Sequence, residues 1–395
     1  MRLSVAFILS VFLISSTPAI AAPVPKSGST CKSLGLTQIY QGKIFTCVKS
    51  GKKKVWNKGI TKKQTQSTQS RANNVPTETP PTQSSTENAN SNKKSLTVQE
   101  IALATMKKDM KPEKVGNLFR YHYSPNAKQS FKELLESDLN FAMSYWVEVY
   151  KNPELFNVFY GTEKDMDRLI ESWKPYGFDK NVGFANDFRG RIAREGNFLN
   201  AGAVPSQENA SHLSILRHSS LPSEPNSFIA HENVHIVQQF LTKNRTGKMP
   251  CWLREGSANL FGNFIFTDKS GINLYDQIKQ SDMNSYQRGT SGVELRNFKE
   301  SDWFTHLKSL EGNFQGGCDY INRFAYGSGL LLSELLMAES GFGKMMDFWR
   351  AFSLEKDWRI SFQEIYGIPL DDWYKTKAIP YVMSEYLRVK PYGNK

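Results

Sequence analysis

The chain has 395 residues, 39% of them hydrophobic, with 50 Lys+Arg against 38 Asp+Glu and a formal net charge of +12. The excess sits in an N-terminal arm: residues 22–95 hold 13 Lys+Arg against only Glu78 and Glu87, Arg2 adds one cation, and the other 300 residues balance. A neutral body lacks the electrostatic footprint of nucleic-acid binding, so no nucleic-acid partner is expected for it.

The chain opens with "MRLSVAFILSVFLISSTPAIAAPVP". Arg2 supplies a positive start, Leu3 to Ile14 an apolar run, and Ala19-Ile20-Ala21 a small-residue cleavage site, so 1–21 reads as a signal peptide. The run is too short to span a bilayer, and no later apolar run approaches about 18 residues, so no transmembrane anchor is expected in the mature chain. The expected destination is secretion or the cell envelope. There the basic arm reads either as a contact with anionic envelope polymer or phospholipid head groups, or as a merely soluble segment.

Export makes disulfides the expected state of Cys31, Cys47, Cys251 and Cys318. Three connectivities are open; Cys31–Cys47 and Cys251–Cys318 are preferred because each stays within one segment. None of the four has CxxC spacing, which argues against a cysteine zinc site. Residues 22–59 form a small basic module bracketed by Cys31 and Cys47. Strands are predicted around Ile39-Tyr40 and Ile44-Phe45 with a Gln41-Gly42 turn, and a further apolar run lies at Val55-Trp56. So small a module needs its disulfide. Residues 60–95, rich in Ser, Thr, Gln, Asn and Pro, read as a disordered linker.

From 96 to 395 periodic apolar patterns return, and about 300 residues allow a substantial core. Helices are predicted over "TVQEIALATMKKDM", "SFKELLESDLNFAMSYWVEVY" and "EKDMDRLIESWKPYG", and strands over "LFNVFYGT", "VGFAND", "NFLNAGAV" and "HLSILRHS". Residues 96–130 read either as an inhibitory prosegment or as an ordinary start to the domain. Beyond 225 helices dominate: one carrying "FIAHENVHIVQQFLTK", then 252–264, 325–339, 343–352 and 361–366. The order makes an α+β fold.

Within that first helix lies His231-Glu232-x-x-His235. Residues four apart on a helix share a face, so both imidazoles can serve one ion, with Glu232 beside them able to act on a water. Alone the pattern also arises by chance on a buried helix. Three features add to it. Glu255, in "CWLREGSANLF", follows His235 by 20 residues across a "KNRTGK" break, so an antiparallel second helix completes a His2Glu set with one open position. Gly256 and Ala258 would let these two helices approach closely. Asn259, one turn on, is either a partner for a ligand ring N–H or an ordinary helix asparagine. Tyr326, before Gly327-Ser328-Gly329, is either an oxyanion donor or a core tyrosine.

The motif with Glu255 in "WLREGSA", and downstream "AYGSG…ESGFGKMMDF" and "FQEIYGIPLDDWY", resemble the gluzincin, peptidase-MA-like zinc metallopeptidases over roughly 130–380. The resemblance implies a zincin-like fold, with a small mixed sheet lobe, a helical C-terminal lobe and Zn2+ in the cleft. It implies His231, His235 and Glu255 as ligands, Glu232 as general base, Tyr326 as transition-state donor, and a peptide or protein substrate. No Gly-x-Met-x-Asn exopeptidase signature precedes the motif, and Asn259 stands where thermolysin-like enzymes carry Asp. His122, His212, His218 and His306 lack ligand spacing and read as surface or core. The strand holding His218 is a candidate for pairing with extended substrate. Cys251 precedes Glu255 by one turn, so its disulfide would brace the ligand helix. Two other readings stay open: a catalytically inactive envelope scaffold of the same fold, and a zinc hydrolase of a non-peptide cell-wall amide.

Overall fold

The computed structural model describes residues 26–31, 37–40, 43–51, 53–58, 60–61, 96–151, 155–177, 199–205, 211–217, 227–271, 274–285, 294–312 and 324–389, with Asn186, Gly190 and Ser219 besides. The signal-like start, the linker from 62 to 95, Cys318, His218 and most of the strand expected at 182–187 lie outside the described residues. Two compact units divide the chain, Met1–Asn90 and Ser91–Lys395.

In the first unit β1 (Thr37–Tyr40), β2 (Lys43–Ser50) and β3 (Lys53–Trp56) form an antiparallel sheet in that order, and β4 (Ile60–Thr61) pairs with β2. The register sets Tyr40 opposite Lys43, as the Gln41-Gly42 turn requires. Among the described side chains Phe45, Cys47 and Trp56 form a buried cluster, with Cys31 packed against them. A unit this short needs a staple, and the expected Cys31–Cys47 disulfide is present. Closing a loop of that length contributes about 3 kcal/mol in the chain-entropy model.

The second unit is an α+β body, mostly helical, around one four-stranded sheet. Helix α1 (Val98–Asp109) starts at a capping box, Thr97 accepting from Glu100 N–H and the Glu100 carboxylate from Thr97 N–H. It buries Ala102 and Met106 and packs along a later helix. The sheet comprises β5 (Phe119–Tyr123), β6 (Phe156–Thr162), β7 (Leu199–Pro205) and β8 (Ser211–Arg217), in the order β5-β6-β8-β7. Pairing is parallel except between β7 and β8. Parallel neighbours require a crossover. Helix α2 (Gln129–Ser144) lies between β5 and β6 in the chain, and α3 (Met166–Trp173) follows β6. Phe156, Val158, Tyr160, Leu213 and Ile215 join the main core, whereas Phe159 and Leu216 pack with Met166, Leu169 and Trp173. Alternation along each strand thus feeds two cores.

The remaining helices are α4 (Phe228–Leu241), α5 (Cys251–Ser270), α6 (Tyr275–Ser285), α7 (Glu300–Ser309), α8 (Phe324–Ala351), α9 (Trp358–Tyr366), α10 (Leu370–Trp373) and α11 (Ile379–Arg388). A π turn over Tyr374–Ala378 joins the last two. Helix α8 breaks at Gly341, φ 82°, which divides it where the sequence predicts two helices. The "KNRTGK" break also forms, with Lys243 and Asn244 at positive φ before a 3-10 turn at Thr246–Lys248.

Two expectations are corrected. Strand β8 is internal, paired on both sides, so it offers no edge to a substrate; the edge strand beside it is β7, and α4 packs on both. Gly256 does not face α4. A Cβ there would lie 2.0 Å from the Gly329 carbonyl carbon, and one on Gly329 would lie 2.3 Å from the Trp252 carbonyl oxygen, so this pair brings α5 onto α8. The glycine that admits α4 is Gly262, whose Cβ would lie 2.8 Å from His231 N. Helix α5 is buried almost all round, so its sequence shows no apolar stripe to say which glycine faces which neighbour.

Candidate metal centre

Helix α4 is buried through Ile229, Ala230, Val234, Ile236 and Val237, which fixes it against the sheet and α5. Its contacts with α5 run in opposite senses: Gln238 with Arg254 and Ser257, His235 with Glu255, His231 with Gly262. The two helices are therefore antiparallel, and Glu255 arrives beside the histidine pair. Helix α5 has no side-chain N-cap; its Cys251 and Trp252 N–H groups donate instead to Gly312 and Leu310 carbonyls, which anchors this end of the helix. Cys251 is disulfide-bonded; its expected partner, Cys318, is outside the described residues.

His231 Nε2 and His235 Nε2 are 3.1 Å apart, and Glu255 Oε2 is 3.6 Å from the first and 3.3 Å from the second. A tetrahedral ion with bonds of about 2.0–2.1 Å holds its ligand atoms about 3.3 Å from one another. The three atoms thus stand at the edge lengths of such a tetrahedron, and among the described residues they form the one His/Cys/Asp/Glu group able to hold a metal. The donor set, two nitrogens and one oxygen on nearly buried side chains, fits zinc.

The neighbours hold each ligand in place. His235 Nδ1 meets Gln238 Oε1 at 2.7 Å, while the Gln238 amide donates to Arg254 O at 2.9 Å and to Ser257 Oγ at 3.0 Å. Both amide hydrogens being directed to acceptors, Oε1 accepts from Nδ1–H, and the Nε2 lone pair points to the centre. Asn259 hydrogen-bonds His231 and donates to Tyr326 O at 3.4 Å. Gln238, which the sequence reading missed, is the ring partner of His235, and Asn259 is the amide beside His231. A buried amide one turn from a candidate ligand was the available signal.

Electrostatics follow the same geometry. Burial pulls His231 down, but the Glu255 hydrogen bond, the Glu232 and Glu255 charges and Asn259 outweigh it and raise the pKa above its ordinary value. Burial pushes Glu255 up, but His235, His231 and Arg254 hold it well below the usual carboxylate range. Arg254 Nε lies 3.4 Å from Glu255 Oε1, so one carboxylate oxygen faces the guanidinium and the other the imidazole pair. Glu232 is half-buried on the next position of α4, and its charge acts on His231. The Tyr326 ring stacks on His231 with centroids 5.8 Å apart. A third carboxylate, unanticipated, is Asp282 on α6: burial raises it to about 6 against the Asn263 hydrogen bond of 2.8 Å and the influence of His231.

The other described histidines lie elsewhere. His122 stacks on Phe159 and its Nε2 meets Asn157 Oδ1 at 3.0 Å. His212 is buried in the sheet, and His306 packs among Phe298, Trp303 and Phe324 with Nε2 3.3 Å from Ser328 Oγ. Among the described residues no helix is long and apolar enough to cross a membrane. Comparison with protein-family models, curated proteins and solved structures returns no match for this chain.

Proposed function

We propose that this chain is an exported zinc-dependent metallopeptidase of the gluzincin type, with zincin-like architecture and the metal held by His231, His235 and Glu255. One observation carries the reading: three ligand atoms from two helices spaced 3.1, 3.3 and 3.6 Å apart, with an acid on the next residue of the motif helix. When bound, zinc supplies Lewis-acid polarisation of a carbonyl and lowers the pKa of a coordinated water to about 7.

The chain's own groups do the rest. Glu232 takes the proton released as water attacks the peptide carbonyl and hands it to the departing amine, so the nitrogen leaves neutral. Tyr326, stacked on His231, donates its hydroxyl to the oxyanion that develops on the carbonyl oxygen. Gln238 and Asn259 hold the two imidazoles in the tautomers that keep Nε2 unprotonated.

A metal-holding scaffold has no use for Glu232, which favours catalysis. Zinc stoichiometry of the purified full chain, followed by a peptide-library digest with and without chelator, tests the reading. About one zinc per chain and chelator-sensitive cleavage are expected from a catalytic His2Glu site. A chain that takes up no zinc removes the metal centre; one that holds zinc and cleaves nothing is the scaffold.

A further inference from the structure

The second unit carries a cavity that the metal centre does not use. Its volume is about 540 Å³, inside the range of roughly 300–1,000 Å³ usual for small-ligand sites. Three elements line it: the segment 112–117 between α1 and β5, strand β5 itself, and the last turns of α2. Glu113 N–H donates to Ser144 O at 2.9 Å, which caps α2 and pins the segment to its end. Alternation puts Phe119 and Tyr121 on one face of β5, with ring centroids 5.9 Å apart. Phe119 stands edge-on to Phe156, and Tyr121 stacks on Tyr123, whose hydroxyl donates to Glu136 of α2 at 2.7 Å. These rings are held in place by the protein before any ligand arrives.

Beside them stand Glu113 and Asn117 from the segment and Asn140 from α2. All three side chains are exposed, and none is committed to a hydrogen bond or ion pair among the described residues. Each is planar and can meet two neighbouring hydroxyls at once, the carboxylate through two acceptors and each amide through a donor and an acceptor. Phe119, Tyr121 and Phe141 supply apolar surface on which a C–H face can pack. Planar polar groups from two walls and aromatic rings between them suit a molecule polar at its edge and apolar on its faces. A pyranose ring has that anatomy.

We infer that this cavity binds a neutral glycan, with a sugar ring against Phe119 and Tyr121 and its hydroxyls held by Glu113, Asn117 and Asn140. An anionic chain would meet the Glu113 carboxylate as a like charge. A purely apolar ligand would strip water from three polar side chains and return no hydrogen bond. Binding here needs neither the metal nor turnover.

The test titrates the full chain with the neutral N-acetylglucosamine trimer, followed by ligand-observed NMR. Asn117→Ala and Asn140→Ala combined are expected to weaken binding by about tenfold or more, and each alone by about threefold. Both positions are exposed, and alanine favours the helix at 140, so the double variant should melt no lower than the parent. Gln129→Ala with Gln363→Ala, an equal removal of exposed amides at the start of α2 and on α9, should leave affinity within about twofold. No binding by the parent chain, or equal losses in the two double variants, overturns the inference. So does tighter binding of the cationic de-N-acetylated trimer, which would make Glu113 a cation site, or of a capped hexaglycine peptide.

Discussion

His212 and His231 are both largely removed from water, and they respond to it in opposite ways. His212 sits in β8 with its ring edge-on to Phe159 at 5.7 Å and near Trp173, and burial alone drives its pKa down to about 3. His231 sits on α4 beside two carboxylates and an amide, and its pKa rises despite burial. The first is a core residue kept neutral; the second stands in a field arranged for positive charge. Desolvation is common to both, so the acids around the ring, not the depth, separate a candidate metal ligand from a packed histidine.

Four changes break or sharpen that contrast. The largest effect is expected for Glu232→Gln, which leaves the three ligand atoms in place: zinc content should be unchanged and peptide turnover should fall by about 10²–10⁴-fold. Retained turnover sinks Glu232 as the base. Next is acid stability, read through His212→Leu. The folded pKa of about 3 lies below the ordinary 6.5, so the unfolded chain takes up the proton first. This contribution is complete above 6.5 and is lost as pH falls towards 3, by roughly 4 kcal/mol. Urea titrations at pH 7 and pH 4 should show a smaller acid loss in the variant; an identical loss means that other groups, such as His306 with its pKa near 4, govern it.

Glu255→Ala should turn His231 into a histidine of the His212 kind. In metal-free protein its titration, followed by NMR, should move from above 6.5 to below it, because the loss of the Glu255 hydrogen bond and charge leaves only Glu232 and Asn259 to oppose burial. Zinc affinity should drop in parallel; a titration still above 6.5 means that Glu232 dominates the field. The smallest effect is expected for Gln238→Met. It strips the partner from His235 Nδ1, lowering zinc affinity by about 10–100-fold. It also leaves two buried acceptors short of a donor, costing about 1–3 kcal/mol in thermal unfolding. Unchanged affinity with reduced stability would make Gln238 a packing residue only.

What the sequence disclosed was local or strongly patterned. The i, i+4 histidines share a face because helix geometry requires it, and the turn-rich "KNRTGK" predicts the reversal that brings in Glu255. The Gly341 break and the Cys31–Cys47 module were legible for the same reason. Hidden were features decided by partners far along the chain. Gln238 reads as one of two glutamines until Arg254 and Ser257 appear beside it. Strand β5 is short, and its alternation of Phe119, Tyr121 and Tyr123 with Arg120 and His122 was passed over. Helices α6 and α7 are largely polar on the surface, and the order β5-β6-β8-β7, which leaves β7 at the edge, is set by crossovers that periodicity does not encode.

The seam at Gly256 and Gly329 has a mechanical consequence. Where two helices touch main chain to main chain, neither can slide or roll without a steric collision, so Glu255 on α5 and Tyr326 on α8 travel as a single lever. Any breathing of the molecule that alters the distance between this acid and this phenol has to distort a helix. In the proposed enzyme the acid and the phenol therefore keep one fixed spacing.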